Sequence, residues 1–177
     1  MVANKIAPRT LNRPHSITAT VDIANGAEGV LVAQGSSAGG YALYLKDQKL
    51  HYAYNFLGVQ QFHVATDATI GDGKHELRFE FEPTGKPDLA NGKGTPARAQ
   101  LYIDGKLAGQ GDLPVTIPLD IGITDGLSCG RDEGSAVTTD YSAPFPFTGK
   151  LDKIVVDVSG ELIEDKAAEM RSVMAHQ

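Results

Sequence analysis

Cysteine is nearly missing from this chain: Cys129 stands alone among 177 residues. An intrachain disulfide is therefore excluded, and one thiol does not fix the redox compartment. The fold must rest on an apolar core, which a chain of this length can build as one domain without a covalent or metal staple. Long hydrophobic runs are missing as well. No stretch approaches the roughly 20 apolar residues of a membrane-spanning helix. Met1 to Leu11 carries Lys5 and Arg9 but no apolar segment, so no secretory signal is expected there. Asn-x-Ser/Thr acceptors, internal repeats and low-complexity tracts are absent. Positive charge is in deficit: 16 Lys and Arg against 22 Asp and Glu give a formal net charge of -6. Such a surface offers neither nucleic acid nor an anionic membrane an electrostatic footprint.

What is present is a period of two. Ile17, Ala19, Val21 and Ile23 share one face of a strand, with Ser16, Thr18, Thr20 and Asp22 on the other. Gly29 to Gln34 is a short apolar run, the pattern of a strand covered on both faces. Tyr41 to Lys46 and Lys49 to Phe56 flank a turn at Asp47-Gln48 and read as a hairpin, with Leu50, Tyr52, Tyr54 and Phe56 on one face. Gln61 to Ala65 gives a shorter pattern. His75, Leu77, Phe79 and Phe81 alternate with Glu76, Arg78 and Glu80. Ala99, Leu101 and Ile103 alternate up to Asp104-Gly105, a strong hairpin signal. Glu82 to Pro96 is polar and reads as an exposed loop, and Leu113 to Ile123 as a Pro-interrupted edge or irregular segment. A final strand runs from Lys150 to Val158.

One helix is expected, over 160–176. Ile163, Ala167, Met170 and Met174 form a stripe, Ser159 is a candidate N-cap, and Glu161, Glu164 and Asp165 suit the helix dipole. About ten short strands without intervening helices predict an all-β fold: two antiparallel sheets in a jelly-roll sandwich over 12–158, followed by that helix.

Several blocks resemble the region that follows the catalytic core of bacterial arylsulfatases. They are Asn12-Arg13-Pro14-His15-Ser16-Ile17-Thr18-Ala19, Glu28-Gly29-Val30-Leu31-Val32-Ala33-Gln34-Gly35, Gly40-Tyr41-Ala42-Leu43-Tyr44-Leu45-Lys46-Asp47, Leu50-His51-Tyr52-Ala53-Tyr54-Asn55-Phe56-Leu57-Gly58 and Leu101-Tyr102-Ile103-Asp104-Gly105. The resemblance runs from Arg9 to about Val158. It implies a concanavalin A-like or laminin G-like sandwich that packs on a sulfatase catalytic domain or another subunit. It does not imply sulfatase activity for this chain. That chemistry needs Cys/Ser-x-Pro-x-Arg, whereas Cys129 is followed by Gly130, Arg131 and Asp132, and Ser142-Ala143-Pro144-Phe145-Pro146 lacks the Arg.

Other catalytic patterns fail in the same way. Gly35-Ser36-Ser37-Ala38-Gly39 matches a nucleophile elbow, but that device requires a strand-to-helix turn and here a strand follows. His51, His63 and His75 are expected as solvent-facing strand residues without a nucleophile beside them. Glu76 and Glu80 flank Arg78 as a solvated face with a cross-pair, not as the paired carboxylates of a glycosidase. No catalytic residue is assigned.

Two binding features are left. Asp125, Asp132, Glu133 and Asp140 lie on a Gly- and Ser/Thr-rich loop, and hard oxygen ligands at that density suit Ca²⁺, with Asp132 and Asp140 as central ligands. The competing reading is a solvated acidic loop. Tyr41, Tyr44, Tyr52, Tyr54 and Asn55 cluster on the hairpin, and Tyr52, Tyr54 and Asn55 are the candidate face for a partner protein or a sugar. The leading expectation is a non-catalytic interaction module. A lectin-like carbohydrate-binding domain and an uncharacterised hydrolase stand beside it.

Overall fold

Alternating apolar residues make strands here because each strand has an inner face to bury. A computed structural model describes residues 1–3, 6–119, 123 and 125–163. Among them are ten strands: β1 (His15–Ile23), β2 (Gly29–Ser36), β3 (Gly39–Lys46), β4 (Lys49–Phe56), β5 (Gln60–Ala65), β6 (Gly73–Pro83), β7 (Ala97–Ile103), β8 (Lys106–Leu113), β9 (Leu127–Cys129) and β10 (Lys150–Asp157). They form two five-stranded sheets, ordered β10-β1-β6-β7-β8 and β5-β4-β3-β2-β9. All strand pairs are antiparallel. The all-β, two-sheet jelly-roll sandwich stands as expected. The predicted helix over 160–176 lies largely outside the described residues, and 160–163 carry no helix. No described helix is long and apolar enough to cross a membrane.

The core lies between the sheets. Ile17 pairs with Phe79, and Phe79 with Leu101, so three buried side chains line up across the first sheet. From the second sheet Tyr52 stacks on Phe79 with ring centroids 3.8 Å apart and planes 10° from parallel. Turns match the sequence signals. Asp47 and Gln48 both hold positive φ, as do Asp104 and Gly105, which fits hairpin turns whose twist matches the strands.

The two outer faces differ. Ala33, Ala42 and Ala53 lie in register across β2, β3 and β4 on the outer face of the second sheet. Their small side chains leave a trough, which the segment after β9 fills. Val137 and Tyr141 pack there against Val30, Ala33, Ala42, Tyr44 and Ala53 as a second, smaller core. Backbone bonds tie this cover down: Val30 N–H donates to Phe145 O at 2.9 Å, and Phe147 N–H to Gly130 O at 2.9 Å. β2 is therefore buried at every position, as its unbroken apolar run anticipated. The outer face of β10-β1-β6-β7-β8 has no such cover among the described residues.

Candidate functional site

Asp132 is an anchor of the covering loop. It is 1% exposed, and its Oδ2 accepts from Val137 N–H at 3.1 Å and from the Tyr141 hydroxyl at 2.6 Å. Burial raises its pKa above the ordinary carboxylate value, against the two hydrogen bonds that lower it. Asp140 has other neighbours. Its Oδ2 accepts from the Tyr44 hydroxyl at 2.7 Å, and Lys46 Nζ lies 3.2 Å from its Oδ1. Burial opposes the charge on Asp140, but these donors outweigh it and its pKa falls. The two expected Ca²⁺ ligands thus have different partners: Asp132 turns inward to hold the loop, and Asp140 meets Tyr44 and Lys46.

The expected aromatic face is corrected. Tyr52 and Tyr54 are 1% and 4% exposed and point between the sheets, because they share the face of Leu50 that meets the core. The Tyr54 hydroxyl accepts from Ile117 N–H at 2.9 Å. Asn55 points the opposite way, beneath the covering loop. Its Nδ2 donates to Val137 O at 2.8 Å and to Ser37 O at 3.1 Å, while its Oδ1 accepts from Gly58 N–H at 2.8 Å. None of the three presents a surface to a ligand.

The open sheet face offers what those residues do not. Strand register sets two outward rows across it. One runs Val155, Thr18, Arg78, Tyr102 and Leu107; the other runs Asp157, Ser16, Glu80, Gln100 and Gln110. The Arg78 guanidinium lies 4.7 Å from the centre of the Tyr102 ring, and its Nη2 pairs with Glu80 Oε1 at 2.9 Å. The pairing of Arg78 within a Glu-flanked face follows the sequence reading. Its stacking on Tyr102 does not, since that contact needs the β6–β7 register. The second row runs into a cleft of about 590 Å³ lined by Ser16, Glu80, Glu82, Gln100, Asp157 and Ser159, among others. That volume suits a small ligand.

His63 is exposed on β5 as expected, whereas His51 and His75 have partners that the pattern did not show. His75 Nδ1 sits 2.8 Å from Asp104 Oδ2. His51 is buried at 9% exposure, stacks on Tyr44 with centroids 5.1 Å apart, and faces His63 with Nδ1 to Nε2 at 3.0 Å. Their spacing of twelve residues was the available signal: folded about the turn at Leu57-Gly58, it sets the two rings side by side on β4 and β5.

No protein-family model matches the sequence, and no curated protein matches it. Solved structures share the fold. The LG4-5 domains of the mouse laminin alpha1 chain superpose with a TM-score of 0.64 at 13% identity, over 90% of this chain and 39% of that one. This chain thus spans well under half the laminin structure. The CBM40 of Ruminococcus gnavus IT-sialidase, bound to alpha2,3 sialyllactose, matches at TM-score 0.55 and 14% identity, over 92% of this chain and 83% of that one. A SAP-like pentraxin from Limulus polyphemus matches at 0.51 and 11% identity, over 93% and 70%. The fold is accordingly laminin G-like.

Proposed function

We propose that this chain is a non-catalytic carbohydrate-binding β-sandwich that takes its ligand on the open face of the β10-β1-β6-β7-β8 sheet. The observation that carries this reading is Arg78 lying over Tyr102, 4.7 Å from the ring centre, beside the polar row Ser16, Glu80 and Gln100. Sugars are bound by a planar apolar surface next to groups that exchange hydrogen bonds with hydroxyls, and this face supplies both. On the second sheet the segment after β9 covers the corresponding outer face. The sialyllactose complex among the structures of like fold is in keeping with this use of the sandwich, and fold alone does not determine ligand.

The test is retention of the full chain on a glycan array that includes sialyllactose. Wild-type protein is expected to bind at least one glycan class, and Arg78→Ala and Tyr102→Ala to lose it while melting within a few degrees of wild type. Binding that survives both substitutions would move the site elsewhere, and no retention at any density would overturn the reading. Tyr52→Ala is not a usable probe. It removes a core ring, at about 3–5 kcal/mol, and would report unfolding instead.

The blocks that resemble the region after the arylsulfatase catalytic core support a setting beside a catalytic domain or another subunit. In that setting the chain contributes binding alone. Release of chromophore from an aryl sulfate by the purified chain would overturn its non-catalytic status.

A further inference from the structure

Three nitrogen and oxygen ligands converge at the edge of the covered sheet, away from the proposed sugar face. His51 Nδ1, His63 Nε2 and an Asp140 carboxylate oxygen lie within 4.8 Å of one another. His51 and Asp140 are each held by further partners, and His63 is placed by its Nε2, which donates to His51 Nδ1 in the ion-free protein and has to yield that proton to a metal. His51 Nε2 is 3.0 Å from Lys46 O; a carbonyl only accepts, so Nε2 carries the proton and Nδ1 keeps its lone pair. Tyr44 stacks on His51 and donates its hydroxyl to Asp140 Oδ2, fixing ring and carboxylate together. Asp140 N–H donates to Thr138 Oγ1 at 3.3 Å, and the Thr138 hydroxyl donates to Gln61 Oε1 at 3.1 Å, tying this part of the loop to β5.

We propose that His51, His63 and Asp140 form a binding site for a divalent transition-metal ion of the Zn²⁺ class. Two imidazoles and one carboxylate match the ligand preference of Zn²⁺, with water as the fourth ligand; Ca²⁺ selects oxygen alone. An imidazole that donates its second N–H to a backbone carbonyl, as His51 does, is the usual arrangement of a metal-ligating histidine. The 3.0 Å between the two ring nitrogens is a few tenths of an ångström under the roughly 3.3–3.4 Å that two bonds of about 2.0–2.1 Å impose at a tetrahedral centre. His63 is exposed and has room to close the remaining distance. Lys46 opposes the ion. Its ammonium is 3.2 Å from Asp140 Oδ1 and competes for the same carboxylate.

The experiment titrates the full chain with ZnCl₂ by calorimetry and with Co²⁺ by visible absorption. One equivalent is expected to bind, with Co²⁺ giving the intense d–d bands of a tetrahedral site. His63→Ala, on an exposed edge strand, is expected to lose at least the roughly 100-fold that removing a mere partner of a ligand can cost. Asp140→Asn should weaken binding as well, and Lys46→Met should tighten it by about tenfold, one charge removed at short range. His75→Ala is the control and should bind as wild type. Melting curves of each variant without metal separate lost binding from lost fold. Absence of saturable binding to the wild type, binding undiminished in His63→Ala, or equal loss in His75→Ala would each overturn the site.

Discussion

The Tyr141 hydroxyl donates to Asp132 Oδ2 at 2.6 Å inside the smaller core, and the same oxygen accepts from Val137 N–H. Two residues of one loop thus hang on a single carboxylate oxygen. Asp132→Ala would leave a buried hydroxyl and a buried amide without an acceptor, each costing about 1–3 kcal/mol. A loss of roughly 3–4 kcal/mol is expected in urea unfolding. Asp132→Asn keeps a carbonyl oxygen at that place and removes a charge that burial disfavours, so it should cost less than about 1.5 kcal/mol. Equal costs for the two variants would mean that the charge, and not the acceptor, holds the loop.

Gly29 decides whether the loop can lie on β2 at all. It holds φ +127, and a Cβ there would land inside the backbone of Pro146 and Phe147. Gly73 has nearly the same φ, +123, but open space around its missing Cβ. Gly73→Ala should therefore cost only backbone strain, roughly 1–2 kcal/mol. Gly29→Ala should cost clearly more and expose 130–149 to protease, since the clash is with backbone that cannot rotate away. Matching stabilities and matching protease resistance would refute the idea that this contact seats the loop.

The strands were legible because burial writes a period into them. Ile17 to Ile23 and His75 to Phe81 alternate, and each is a strand with those residues inward, Ile17 and Phe79 fully so. The unbroken run of β2 even disclosed that something covers both its faces. What covers it was not legible, because a segment without secondary structure has no period. Asp132 and Asp140 looked alike in sequence, yet one is an internal acceptor and the other a surface ligand to Tyr44 and Lys46. Tyr52 and Tyr54 were placed correctly on the face of Leu50. Which way that face points depends on where the second sheet lies. His51 with His63, and Arg78 with Tyr102, needed strand register, which only the turns at Leu57-Gly58 and along β6–β7 determine.

Asn55 joins three segments that pattern alone keeps apart: the β2–β3 turn through Ser37 O, the β4–β5 turn through Gly58 N–H, and the covering loop through Val137 O. Asn55→Ala should destabilise by about 2–3 kcal/mol, the cost of stranding these groups. Asn55→Asp should be worse. It keeps the acceptor for Gly58 but sets a buried carboxylate against two carbonyl oxygens. Thermal melts at pH 7 check the order. An Asp variant as stable as the Ala variant would show that the carboxylate does not stay buried against those carbonyls.

His15 makes stability depend on pH. It is 8% exposed, stacks on Phe81 with centroids 4.6 Å apart, and donates Nδ1–H to Arg13 O. Burial, the largest influence, lowers its pKa from 6.5 to about 4. The unfolded chain therefore binds a proton between these values that the folded chain refuses. Unfolding free energy must rise with pH across this window, so the contribution is complete above pH 6.5 and is lost as pH falls toward 4. Its full size is roughly 3 kcal/mol. Other carboxylates and histidines titrate in the same range, so the comparison is wild type against His15→Phe, which keeps a ring on Phe81 but cannot take up a proton. The variant loses the bond to Arg13 O at every pH. Relative to wild type it should nevertheless gain roughly 3 kcal/mol between pH 7 and pH 4 in urea titrations. A difference that stays constant over that interval would mean that His15 is protonated as readily in the folded chain as in the unfolded one, and that its burial is relieved by water.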